Sequence, residues 1–206
     1  MALLHKATLT PSKPELMNAW LTARPWLPSP GEARPVAAYR FDDPDGEVGI
    51  ETTLLQTTDG SVVQVPLTYR GAPLDGAEDA LIGTTEHSVL GPRWVYDGCG
   101  DPVWAAAFAT AVMTGGSQAE QYFEVDGRRE VREPSATVRG SGTPGTAVPA
   151  ITVVTREDDG PATVVRAAGL ELVVVRVVGA DVVVEQTLTG RWGDSGLALL
   201  GGVRRA

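Results

Sequence analysis

The stretch Val65–Gln118 reads VPLTYRGAPLDGAEDALIGTTEHSVLGPRWVYDGCGDPVWAAAFATAVMTGGSQ, and most of the fold prediction depends on it. Its first six residues have the composition of a strand. Asp101 and Pro102 are typical of a helix N-cap and first helical position, and apolar residues recur every four positions over residues 103–112. Gly115 supplies the left-handed stop. The stretch therefore predicts a strand, a loop-rich region around residues 81–96 and one short helix with a buried stripe.

Upstream of this stretch, the sequence predicts a second helix and an antiparallel meander. Ser12 and Glu15 have the spacing of a reciprocal capping box, and the helix that they begin should end before Pro25. Three strand-like runs follow, separated by turn residues, at Val36–Phe41, Gly49–Thr57 and Ser61–Tyr69.

Downstream, the pattern is almost entirely that of strands. We predict a strand at residues 120–125, a hairpin turn at 126–127 with a return strand, and a linker at 140–149. From Ile151 onward two hairpins are predicted, the second joining LELVVVRVV to DVVVEQTLT through Gly179 and Ala180. The Val-rich runs with apolar residues on both faces suggest a central, covered pair, and residues 197–200 a closing strand.

Composition excludes several classes of function. The net charge of −9 disfavours a nucleic-acid partner, which requires clustered Lys and Arg. The single cysteine, Cys99, excludes an intrachain disulfide and fits a reducing compartment. The N-terminal apolar run is too short for a signal peptide, and Arg176 interrupts the longest apolar run, so no membrane segment is predicted. These features predict a cytoplasmic protein without a membrane partner.

The motifs of the sequence predict neither serine-protease nor phosphoryl-transfer chemistry. Residues 193–196 read GDSG, as in the nucleophile loop of trypsin-like proteases, but Leu197 replaces the glycine that should follow, so we predict a turn between strands. For phosphoryl transfer, the sequence has no GxxxxGK[ST] loop, its lysines lie within the first thirteen residues and its only Asn is Asn18. We therefore predict no catalytic residue, no cofactor and no metal, and favour a non-enzyme.

Three segments resemble the N-terminal cap domain of bacterial maltokinases. They read ELMNAWLTARPW, SVVQVPLTYRGAPL and WVYDGCGDPVWAAAFATAVMTGG, and the resemblance covers roughly residues 14–125. The loop PWLPSPGEARP lacks the lysines that the family carries there. The family's catalytic residues lie in kinase lobes, to which no residue of this sequence corresponds.

The resemblance and the patterns together define the predicted fold. We expect an α+β protein with mainly antiparallel β-sheet layers and two or three short helices, similar to the maltokinase cap. Residues 1–140 would form the cap-like α+β lobe. Residues 150–206 would form a C-terminal antiparallel β lobe packed on the same domain.

One group of residues in the central stretch could bind a ligand. Aromatic faces beside carboxylates suit sugars. The predicted ligand-binding residues are Glu86, His87, Arg93, Trp94, Tyr96 and Asp97. An alternative is that Trp94 and Tyr96 pack beneath the helix that carries Trp104.

The resemblance implies a non-catalytic binding or regulatory protein in maltose, trehalose or α-glucan (glycogen) metabolism, with a sugar kinase or another α-glucan enzyme as its partner. One alternative is a small enzyme that uses Glu86, His87, Arg93, Tyr96 and Asp97 for acid–base chemistry. Another is a protein that self-associates as a homodimer through the Val-rich strands near residues 172–184.

Overall fold

The computed structural model describes residues 2–4, 7–27, 31–125 and 128–206, and for residues 2–4 and 125 it describes the backbone alone. Strands make up 46% of the described residues and helices 14%. The predicted α+β class is therefore wrong, because the fold is mostly antiparallel β-sheet. Its two α-helices are too short to form a layer of their own, and the segment predicted to be loop-rich is a strand hairpin.

The elements are numbered in chain order. The first half contains β1 (Ala2–Leu4), β2 (Leu9–Thr10), α1 (Lys13–Leu21), β3 (Arg34–Phe41), β4 (Gly49–Gln56), β5 (Val62–Arg70), β6 (Leu81–His87) and β7 (Gly91–Asp97). The second half contains α2 (Pro102–Met113), β8 (Gln121–Val125), β9 (Arg128–Arg132), β10 (Ala136–Gly140), β11 (Thr155–Asp159), β12 (Ala162–Ala167), β13 (Leu170–Val175), β14 (Gln186–Trp192) and β15 (Ala198–Arg205).

The first sheet has six strands in the order β2-β6-β7-β5-β4-β3. The predicted meander β3-β4-β5 is confirmed, with antiparallel pairing throughout. Next to it, β6 and β7 form an antiparallel hairpin where we predicted loops. The apolar stretches at residues 81–85 and 93–96 are too short to predict strands by themselves. In the structure they belong to longer strands, because β7 pairs with both β5 and β6.

The second sheet has the order β10-β14-β15-β13-β12-β11. The predicted hairpin between residues 170–178 and 181–189 is wrong, because β15 lies between β13 and β14 and pairs with both. Val182 and Val184 instead pack on a cluster formed by Ala162, Val164 and Val173. Since both edges of β13 are paired, this strand offers no free edge to a second copy, and a homodimer stays a prediction.

A small third sheet has the order β1-β8-β9, with β1 parallel to β8. The predicted pairing of residues 121–125 with a return strand is confirmed. The turn predicted at residues 126–127 lies outside the described part of the chain.

Both predicted helices are present, with the caps that the sequence indicates. Ser12 and Glu15 form the capping box of α1. The carboxylate of Asp101 accepts a hydrogen bond from the Val103 N–H at the start of α2. Gly115, with a φ of 67°, follows its last turn. No helix of the described residues is long and apolar enough to span a membrane.

Helix α2 lies at the centre of the larger core. Its residues Trp104, Phe108 and Val112 are at most 1% exposed, and their cluster includes side chains from both six-stranded sheets. Helix α1 covers a second core on the first sheet, with Met17 and Leu21 each 1% exposed.

The two large sheets are also joined through β5. The N–H of Gln64 donates to the Arg176 carbonyl at 2.9 Å, and the N–H of Val178 donates to the Val62 carbonyl at 2.8 Å. The buried side-chain amide of Gln64 donates to the carbonyls of Val175 and Leu200. The chain after β13 therefore continues the first sheet beside the initial residues of β5.

Candidate functional site

The structure places the six predicted ligand-binding residues on the hairpin β6–β7. Because side chains alternate along strands, His87, Arg93 and Asp97 lie on one face of the hairpin, and Glu86, Trp94 and Tyr96 lie on the other. The six residues therefore do not converge on one cleft. That they bind a ligand stays a prediction.

Tyr96 and Trp94 are part of the interior rather than of an open platform. The Tyr96 hydroxyl accepts a hydrogen bond of 2.8 Å from the Leu74 N–H, and its ring is 2% exposed. Half-buried Trp94 and Leu74 pack on the same cluster, together with Ala77 and Ala80. The loop between β5 and β6 therefore covers the face of β7 that carries Trp94 and Tyr96. The alternative interpretation, in which α2 covers these two residues, is wrong.

Asp97 forms the centre of a buried charged network. Its carboxylate accepts a hydrogen bond of 2.6 Å from the Arg176 guanidinium, and both side chains are 0% exposed. Arg156 lies 3.5 Å from the same carboxylate, and Thr163 accepts a further bond from Arg176. Asp97 ends β7 of the first sheet. Arg156 and Thr163 lie on β11 and β12 of the second sheet, and Arg176 directly follows β13. The network therefore joins the two sheets.

Arg176 is compatible with this interior because its charge is paired and its flat face is covered by aromatic rings. Its guanidinium carbon lies 5.1 Å from the ring centre of Trp26 and 5.8 Å from that of Trp20. Burial alone would lower the pKa of Arg176, but the charge of Asp97 and its hydrogen bond keep that pKa above its ordinary value. Arg176 therefore stays charged, and it needs Asp97 as a counter-ion.

Asp101 forms a second buried ion pair, with Arg70 on β5. The two side chains are joined by two hydrogen bonds of 2.7 Å each, and the hydrogen bond to Asp101 raises the pKa of Arg70. Asp101 also caps α2, so one carboxylate positions the helix on the first sheet. This bidentate geometry favours a fixed structure.

Cys99 lies between the two aspartates, in the turn Gly98–Gly100, and is 0% exposed. Burial raises the pKa of its thiol, and the nearby Arg176 offsets this only in part. The reactive form of cysteine is the thiolate, so the geometry agrees with a packing role.

The far end of the hairpin is the accessible part of the predicted set. Glu86 is exposed, and half-buried Arg93 donates a hydrogen bond to the Pro92 carbonyl. Nδ1 of His87 accepts hydrogen bonds of 3.2 and 3.1 Å from the N–H groups of Val89 and Leu90. The side chains of these two residues are 57% and 42% exposed. The hairpin tip, residues 88–90, therefore presents an apolar surface.

Comparison with known families now identifies part of this fold. Residues 20–101 match the maltokinase N-terminal cap domain. The predicted resemblance is confirmed over these residues, which are fewer than the predicted 14–125. The matched segment includes α1 from Trp20 onward, the first sheet from β3 to β7, and both buried aspartates. No curated protein matches the chain.

Sequence reasoning missed the arginines of the buried network. Arg156 and Arg176 lie outside the matched segment, and their partner Asp97 lies within it. One signal was present, because Arg176 interrupts an otherwise apolar run. A charged residue in such a run often indicates a buried ion pair.

The turn predicted at residues 193–196 is confirmed, and there the Ser195 hydroxyl accepts a hydrogen bond from the Trp192 N–H.

Proposed function

We propose that this chain is a non-catalytic, cap-like binding or regulatory protein of maltose, trehalose or α-glucan metabolism, and that it docks on a sugar kinase. The match of residues 20–101 to the maltokinase N-terminal cap domain carries this proposal. A cap domain of that family works beside kinase lobes, so a kinase is the partner that the match favours. The cytoplasm, where sugar kinases find ATP, is the compartment that fits this role.

The geometry of the hairpin disfavours the alternative of a small enzyme. Acid–base catalysis needs its groups within hydrogen-bond reach of one substrate. Of the proposed catalytic residues, Asp97 is engaged by two arginines and Tyr96 by the Leu74 backbone, on opposite faces of β7. Their chemistry is therefore directed to the interior of the protein.

We propose the hairpin tip as the surface that contacts the kinase. Val89 and Leu90 are adjacent, apolar and exposed, and exposed Glu86 lies beside them. An apolar centre with a polar rim is typical of protein interfaces. The hairpin lies within the segment that matches the cap domain, residues 20–101.

Binding to a purified maltokinase-type kinase from the same organism tests this proposal. We expect the wild-type protein to bind in biolayer interferometry, and the double variant Val89→Asp, Leu90→Asp to bind at least about tenfold more weakly, because charges would be desolvated in the interface. The matched control is Val153→Asp, since Val153 is 73% exposed and lies far along the chain from the hairpin. Two results would contradict the proposal: failure of the wild-type protein to bind, or binding of the double variant that is as tight as that of Val153→Asp.

A further inference from the structure

A groove of about 320 Å³ lies beside the first turn of α1. Its lining includes Ala38, Glu51 and Thr53 of the first sheet, Lys13 of α1 and Arg132 of β9. The volume is at the lower end of what small-molecule sites need. The groove lies outside the hairpin and outside the buried charged network.

Cations predominate around this groove. Lys13 forms an ion pair with Glu51, and Arg40 lies 3.9 Å from the same carboxylate. Tyr69 donates a further hydrogen bond of 3.2 Å to Glu51. Exposed Arg132 has no carboxylate within ion-pair distance among the described residues. Lys13 and Arg40 therefore carry two positive charges against the one negative charge of Glu51, and Arg132 adds a further positive charge to the lining of the groove, in a protein whose net charge is −9.

Glu51 offsets only one of these positive charges, and it does so as an ionised carboxylate. Burial alone would raise the pKa of Glu51, but the charges of Lys13 and Arg40, and hydrogen bonds from Lys13 and Tyr69, lower it to about 2. Glu51 is therefore ionised at neutral pH and satisfied by its own neighbours. The unpaired guanidinium of Arg132 and the remaining donors of Lys13 are left for an external anion.

We propose that this groove binds a small phosphate-bearing molecule, with Arg132 and Lys13 as its phosphate-binding residues. Guanidinium and ammonium groups bind phosphate through charge-assisted hydrogen bonds. Exposed Pro35 and Val36, which also line the groove, suit the apolar body of such a molecule rather than a bare ion. That this body is a sugar rests on the proposed function.

Titration of the ¹⁵N-labelled protein with glucose 1-phosphate and with inorganic phosphate tests this site. We expect glucose 1-phosphate to shift the amide signals of Lys13, Val36 and Arg132 in a saturable way, and to bind more tightly than inorganic phosphate. Arg132→Gln should weaken this binding roughly tenfold, as expected for loss of one charge-assisted contact. Arg191→Gln removes an exposed arginine from β14 and should leave the dissociation constant unchanged.

Three results would overturn the proposal. The first is that neither ligand shifts the amide signals in a saturable way. The second is that Arg132→Gln binds glucose 1-phosphate as tightly as the wild-type protein does, and the third is that glucose 1-phosphate binds no more tightly than inorganic phosphate. Arg132 is exposed, so its substitution leaves the fold intact, and circular dichroism verifies this. The kinase-binding assay tests variants of Val89 and Leu90, whereas the titration tests Arg132 at a different surface. A negative result in the kinase-binding assay therefore leaves the phosphate-site test independent.

Discussion

Asp97 balances more buried charge than any other single residue described above. It contacts Arg176 and Arg156, and the first of these pairs is fully removed from solvent. Removing one member of a buried ion pair leaves the other charge without a partner, which costs more than the pair itself contributes. Asp97 therefore offers the sharpest test of whether this joint stabilises the protein.

We expect Asp97→Asn to lower the free energy of unfolding by about 3 kcal/mol, since Arg176 would stay buried and charged. Urea denaturation followed by far-UV circular dichroism measures this change. Asp194→Asn, in an exposed turn, should change stability by less than about 0.5 kcal/mol. Adding Arg176→Met to Asp97→Asn should cost less than the sum of the two single changes, because the two residues interact. A loss below about 1 kcal/mol for Asp97→Asn would show that the pair is dispensable.

At the scale of elements, Lys13 and Glu51 attach the start of α1 to β4. The Glu51 side chain is 13% exposed, and its pKa is lowered to about 2 from an ordinary value of 4.5. A carboxylate whose pKa is lower in the folded than in the unfolded state stabilises the fold above the unfolded pKa. This contribution disappears as the pH falls from about 4.5 to about 2.

We therefore expect wild-type protein to lose stability over this pH range by on the order of 2 kcal/mol more than Glu51→Gln does. The difference in unfolding free energy between the two proteins, measured by urea denaturation at pH 7, 4 and 2.5, isolates this effect from other carboxylates. Glu86→Gln, an exposed change on β6, should follow the wild-type pH profile. Parallel profiles for wild type and Glu51→Gln would disprove the role of this pair.

The elements also show what local sequence can predict. The caps of α1 and α2 and the meander β3-β4-β5 were predicted because their signals lie within a few residues of each other. The strand β15 pairs with β13 and β14, and the intervening chain gives no local sign of that exchange. The predicted hairpin at Gly179 failed for this reason. The first Val-rich run is the buried strand β13, as predicted, but the second run, residues 182–184, lies outside the strands, and Val183 is 80% exposed.

The same distinction applies to the candidate site at the scale of the whole molecule. Tyr96 and Asp97 were predicted from the sequence to bind a ligand, but the partners that they have in the structure, Leu74 and Arg176, are 22 and 79 residues away. Which face of a strand a residue occupies depends on register, and register depends on the neighbouring strands. The split of the six residues over two faces could therefore be found only from the structure.

The joints between the sheets predict that the molecule unfolds as one unit. Helix α2 shares a core with both large sheets, Gln64 donates hydrogen bonds to Val175 and Leu200, and Asp97 pairs with Arg176. Opening either sheet would expose these groups together, so neither sheet should be stable without the other. The proposed lobes, residues 1–140 and 150–206, would then be parts of a single cooperative unit.

Native-state hydrogen exchange measures this cooperativity directly. We expect amides of β5, at residues 63–65 and 67, and of β13, at residues 172–175, to exchange with opening free energies equal within about 0.5 kcal/mol, because both need global unfolding. Asp97→Asn should lower both values by the same amount, while Asp194→Asn leaves both unchanged. If β13 exchanged through a lower-energy opening while β5 stayed protected, the second sheet would be an independently unfolding layer, and the buried ion pair would only attach it to the cap-like part.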